Sequence, residues 1–201
     1  MIRVLLAEDP GMTRGALAHL LGMERDIEVV AQVGRGDEVV SAALTTIPDV
    51  ALLDIELPGR SGLETAADLR DEVPGCRVLI LTTFARPGYL QRASEAGAAG
   101  FLLKDGPVEE LAEAVRRALA GESVIDPALA AAALGTGPNP LTVREREVLA
   151  AAADGANAAG IAAALSVSED TVHRHLSSAI GKTGTRDQGE AARAARRNGW
   201  L

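Results

Sequence analysis

Apolar runs and amphipathic stretches alternate five times along the first 121 residues. Runs at about 2–7, 28–33, 50–54, 77–82 and 100–104 read as buried strands. Helical patterns follow them at about 12–23, 36–46, 62–72, 87–97 and 107–121. Pro107 suits the first turn of the last of these helices, where its missing N–H costs nothing. Five βα units with short connections predict a five-stranded parallel sheet with helices on both faces. Right-handed crossovers then favour the flavodoxin-like strand order.

Between Gly121 and Pro140 the alternation dissolves. Ala128 to Leu134 can form a short helix, but Gly135-Thr136-Gly137-Pro138-Asn139-Pro140 is a breaker cluster, and 122–139 reads as a linker. Beyond it the pattern is helical throughout, so 1–121 and 140–201 read as an α/β domain and an all-α domain. Thr142 and Glu145 have the spacing of a capping box opening a helix that runs to about Asp154, and Gly155 suits its C′ position. A short helix at about 158–164, a tight turn through Leu165-Ser166-Val167, a helix from the N-cap Ser168 to about Lys182, and a last helix at about 187–198 follow. Ile161, Leu165, Val167, Val172, Leu176 and Ile180 are placed to share one small core.

Two short helices joined by a tight turn, the second amphipathic, make a helix-turn-helix pattern. If Val172, Leu176 and Ile180 point inward, the opposite face carries Asp170, His173, Arg174, Ser177, Ser178 and Lys182. Arg174 there can pair with guanine, while Ser168, Thr171 and Arg186 are candidates for backbone phosphates. The plainer alternative is a solvated helix surface. Gly160 and Gly181 fall inside expected helices and cost up to about 1 kcal/mol each relative to alanine, predicting a marginally stable module.

Charge sharpens this division. The chain carries −8 overall, but residues 1–137 hold 12 basic and 21 acidic side chains, and residues 138–201 hold 8 and 7. Double-stranded DNA would therefore be bound by the second module alone. Aromatic residues are 2% of the chain, too few for a base-stacking platform. No apolar run reaches the length of a membrane span and no signal-peptide pattern opens the chain. A single cysteine, Cys76, fits a reducing cytoplasm and reads as a structural thiol.

The candidate chemistry sits where strands end. Glu8, Asp9, Asp54, Thr82 and Lys104 each close or follow an apolar run, and a parallel sheet gathers such positions at its carboxyl edge, where ligands bind. Clustered carboxylates repel unless a cation compensates, and Mg²⁺ suits oxygen ligands and phosphoryl chemistry. The lysine is informative because the chain has 18 Arg and only two Lys, Lys104 and Lys182. A compact ammonium at that edge implies a role that a planar guanidinium does not fill. The three histidines offer no metal-ligand spacing.

These residues, with Leu53-Asp54-Ile55-Glu56-Leu57-Pro58-Gly59, Leu81-Thr82-Thr83 and Leu102-Leu103-Lys104-Asp105, resemble the receiver domain of two-component response regulators over about 120 residues. The resemblance implies that Asp54 is the phosphoacceptor and that Glu8 and Asp9 help hold Mg²⁺ with Asp54. It places the backbone carbonyl of Glu56 among the ligands, with Glu8 acting through water. Thr82 becomes the switch hydroxyl, in competition with Thr83, and Phe101 either the switch aromatic or plain core. Lys104 becomes the partner of the phosphoryl oxygens. Asp105 stands where the family commonly has proline after a cis bond.

From about residue 139, Leu141-Thr142-Val143-Arg144-Glu145-Arg146-Glu147-Val148-Leu149, then Ile161-Ala162 and Val167-Ser168-Glu169-Asp170-Thr171-Val172, is similar to the LuxR-type DNA-binding domain. Together the two halves resemble the NarL/FixJ class of transcription regulators. The implied partners are a sensor histidine kinase, DNA and a second copy on activation, with no membrane. His173-Arg174-His175 departs from the pattern, so operator preference does not carry over. A Mg²⁺-dependent phosphohydrolase and an unphosphorylated dimerisation module are the competing readings.

Overall fold

The computed structural model describes residues 1–84, 86–134 and 139–201. The chain forms two compact units, Met1–Ala85 with Arg92–Ala132, and Ala133–Leu201 with Arg86–Gln91. The elements of the first half are β1 (Ile2–Ala7), α1 (Gly11–Leu21), β2 (Ile27–Val33), α2 (Gly36–Thr46), β3 (Val50–Asp54), α3 (Gly62–Glu72), β4 (Arg77–Thr82), α4 (Pro87–Glu95), β5 (Gly100–Leu103), α5 (Val108–Leu119), β6 (Val124–Ile125) and α6 (Pro127–Leu134). All strands pair in parallel, in the order β2-β1-β3-β4-β5-β6. The first five have the expected flavodoxin-like order.

Burial explains why the runs were continuous. Every residue of the central strand β3 is buried, because helices cover the sheet on both sides. Val4, Leu6, Val50, Leu52, Leu79 and Leu81 meet Leu21, Ala112, Ala114, Val115 and Ala118 in one core layer, with α1 and α5 above them. The alternate residues Leu5, Leu53 and Ile80 are equally inaccessible.

The sixth strand corrects the expectation that 122–139 is only linker. Val124 N donates to Ala99 O at 3.0 Å and Asp126 N to Phe101 O at 2.9 Å, so two residues satisfy the outer edge of β5. Gly100 permits this, since a Cβ there would stand 2.6 Å from Val124 O. Val124 and Leu129 are buried, and Asp126 Oδ1 accepts from Ala128 N at 2.7 Å at the start of α6. Of the breaker cluster, Gly135 to Pro138 lie outside the described residues. Pro107 sits one position earlier than expected, at the N-cap of α5. No described peptide bond is cis, including that between Lys104 and Asp105.

The helices of the second unit are α7 (Val143–Ala153), α8 (Ala158–Leu165), α9 (Glu169–Thr183) and α10 (Gln188–Arg197). The capping box is formed: Thr142 Oγ1 accepts from Glu145 N, and Glu145 Oε2 accepts from Thr142 N at 2.7 Å. Gly155 ends α7 at φ +94°, Ser166 makes the turn at φ +54°, and Ser168 caps α9. Two apolar clusters replace the single expected core. Val148, Ile161, Ala162 and Val172 form one with Leu165, Val167 and Leu176, while Ile180 joins Leu141, Leu149, Ala179, Ala191, Ala192 and Ala195 in the other. Among the described residues, no helix is long and apolar enough to cross a membrane.

Gly181 lies inside α9 with open space where a Cβ would stand. Gly181→Ala is therefore expected to stabilise the second unit by about 1 kcal/mol, raising its melting temperature by roughly 4–8 °C. Calorimetry of the full chain checks this; an unchanged second transition would show that the glycine costs nothing here.

Candidate functional site

Four strand ends build the site in the first unit. Glu8 follows β1 and is 1% exposed, Asp54 ends β3 at 7%, and Thr82 ends β4 at 4%. Lys104 follows β5, and its N–H donates to Thr82 O at 2.8 Å. Lys104 Nζ stands 2.6 Å from Glu8 Oε2 and 2.9 Å from Asp54 Oδ2, one ammonium between two buried carboxylates. Asp54 Oδ1 also accepts from Glu56 N at 3.3 Å. Burial pushes the Glu8 carboxyl above its usual range; the Lys104 hydrogen bond counters this and the charges of Asp54 and Asp9 add to it. One lysine does not fully compensate the cluster.

Asp9 and Glu56 are exposed beside this core. Among the described residues, no three or more His, Cys, Asp or Glu side chains are gathered as a metal-binding group. The donor set is nonetheless of the right kind for a hard divalent cation: carboxylate and carbonyl oxygens, with uncompensated negative charge.

Thr82 rather than Thr83 is the buried hydroxyl; Thr83 is exposed. Thr82 Oγ1 donates to Phe84 O and accepts from Phe84 N, both at 3.2 Å, so its own loop engages it. Phe101 is 1% exposed and packed as core, on the strand that Lys104 follows.

Backbone supports fix these side chains. Arg14 of α1 donates to Glu8 O at 2.5 Å and to Asp9 O at 3.1 Å, clamping the loop that carries both acids. The sequence reading missed Arg14, whose spacing from Asp9 carried no signal of its own. Gly62, the first residue of α3, donates to Ile55 O at 3.0 Å. A Cβ on it would lie 2.0 Å from Asp54 O, so the helix reaches the acid only because this residue is glycine.

In the second unit α9 carries the expected reading face, and the structure divides it. His173, Arg174 and Ser177 are exposed and share one side of the helix. Ser178 and Lys182 turn instead toward α7: Ser178 Oγ donates to Glu145 Oε1 at 2.6 Å and Lys182 Nζ to Glu145 Oε2 at 2.7 Å. Glu145 is 4% exposed, and these donors with the Thr142 cap overcome the cost of burial, holding its carboxyl at about 2. Ser168 and Thr171 hydroxyls lie 2.9 Å apart at the N-cap. The Arg186 guanidinium is paired with Glu190, with Nη2 2.5 Å from Oε1.

Comparison with known proteins is consistent across the chain. Residues 4–116 match the response regulator receiver domain, and residues 139–195 match the LuxR family of bacterial regulatory proteins. The transcriptional regulatory protein DesR of Bacillus subtilis is 45% identical over the full length of both chains. The nitrate/nitrite response regulator NarL of Escherichia coli is 34% identical, covering 94% of this chain and 92% of its own. Among solved structures, the response regulator ChrA of a heme-sensing two-component system is 34% identical, with a TM-score of 0.60 over 100% of this chain and 98% of that one.

Proposed function

The chain belongs to the response regulators of the NarL and DesR type, a receiver domain joined to a LuxR-family DNA-binding domain, and we propose that Asp54 is its phosphoacceptor. The membership makes it a phosphorylation-regulated transcription regulator. The observation that carries Asp54 is its burial at a strand end, 2.9 Å from the single lysine of the first unit.

Asp54 Oδ attacks the phosphorus of a phosphohistidine on a sensor kinase. The N–P bond breaks, the imidazole takes the electron pair, and an aspartyl phosphate forms. Lys104 is poised to neutralise charge on the transferred group. Asp9, Asp54 and the Glu56 carbonyl would hold Mg²⁺, with Glu8 through water; the ion would supply charge neutralisation at the equatorial oxygens. Phosphoryl oxygens then compete for the Thr82 hydroxyl that Phe84 holds in this state, shifting the receiver between two conformations. The shifted state favours a homodimer, and paired α9 helices present His173, Arg174 and Ser177 to two half-sites in double-stranded DNA. Ser168, Thr171 and Arg186 are proposed as phosphate contacts, Arg186 after leaving Glu190.

Intact-mass measurement after treatment with acetyl phosphate and Mg²⁺ tests the assignment. Wild type is expected to gain one phosphoryl group, and Asp54→Asn and chelated samples none. Undiminished labelling of Asp54→Asn would remove Asp54 from this role.

A further inference from the structure

We propose that Lys182, which the sequence places on the DNA-facing side of α9, is instead a positioning residue that, with Glu145, sets the rotation of α9 about its own axis. The inference rests on the DNA-binding reading and concerns how its reading face is aimed.

Glu145 joins two helix ends. Its Oε2 caps α7 through Thr142 N and accepts from Lys182 Nζ, and its Oε1 accepts from Ser178 Oγ. Ser178 and Lys182 are one turn apart and form a stripe flanking the buried Val172 and Ala179, while His173, Arg174 and Ser177 face solvent. Glu145 lies in the first turn of α7 and Lys182 in the last turn of α9, so both charges also suit the helix dipoles. Near the start of α9, Val172 packs against Val148 and Ile161. Val172, Leu176, Ala179 and Ile180 hold the inner face along the helix, and the ionic clamp pins the flank beside it at the far end, which opposes rolling about the apolar seam. Each residue of roll moves a side chain by about 100°, so the clamp decides which groups meet the groove. The Lys182 charge is already matched by Glu145 and releases no counterion from DNA.

The test uses the full chain, acetyl phosphate, a duplex that wild type selects from a random pool, and a random duplex, over a salt series. Lys182→Met is expected to weaken the selected duplex about tenfold, leave the random duplex within about twofold, and keep both salt slopes unchanged. Glu145→Gln should show the same loss of preference, and Lys182→Arg should restore it. Equal losses on both duplexes, with the slope reduced by about 0.9 per subunit, would make Lys182 a phosphate contact and overturn the proposal. Equal losses at unchanged slope would reduce the clamp to fold stability and overturn it as well. Selection that enriches no sequence would refute the DNA-binding reading itself, and the proposal with it.

Discussion

Gly62→Ala is expected to destabilise the receiver by about 3 kcal/mol or more, at the upper end of overpacking effects, and to abolish or greatly slow phosphoryl transfer. The added methyl group would sit 2.0 Å from Asp54 O and 2.9 Å from its carbonyl carbon. Both are backbone atoms of a fully buried strand, so no side chain can swing aside. Either α3 withdraws or β3 moves, and both displace the acid. The Ser61 capping box, with Ser61 N donating to Glu64 Oε2 at 3.0 Å, resists the first escape. Calorimetry should show the receiver transition falling by roughly 10 °C, and intact mass should show little phosphoryl gain in protein still folded. A variant that melts and labels like wild type would show that α3 yields easily.

Glu145→Gln is expected to cost the second unit about 3 kcal/mol at neutral pH, and the cost should vanish in acid. The Glu145 carboxyl titrates near 4.5 when unfolded and at about 2 in the fold. A depressed acid of this kind contributes its full stability above 4.5 and loses it as pH falls toward 2. The gap between wild type and variant should therefore be constant from about pH 7 to pH 5 and close below 4.5. Lys182, with 37% of its side chain exposed, can reach water when its partner is lost, which keeps the cost below that of stranding a fully buried cation. A gap that does not depend on pH would mean that the carboxylate charge contributes nothing.

Much of the first unit was legible because burial on both sheet faces leaves a simple trace. β3 and β4 carry the unbroken apolar runs Val50–Leu53 and Val78–Leu81, and β1 a run broken only by Arg3; a parallel sheet turns the ends of such runs into neighbours. Glu8, Asp54, Thr82 and Lys104 could thus be assembled without coordinates. β6 was not legible, because two residues carry no period; the strand exists because β5 has an open edge and Gly100 lets a backbone approach. In the second unit the capping box showed Glu145 as a local feature. Its use by Ser178 and Lys182 depends on how α7 crosses α9, which no spacing along one helix encodes. Polar residues beside an apolar stripe can face solvent or a buried acid, and these two pair with the acid while Lys182 keeps 37% of its side chain exposed.

The strand that closes the sheet comes from residues beyond the stretch that matches the receiver family, which ends at 116. The segment after α5 therefore acts as a hem on the sheet, and its length is constrained from its first residues. An open edge invites any passing strand, including one from another molecule, and here β5 is covered from within, leaving as the edge a strand of only two residues. Because side chains alternate along a strand, one residue inserted between Gly121 and Val124 would turn Val124 from core to solvent.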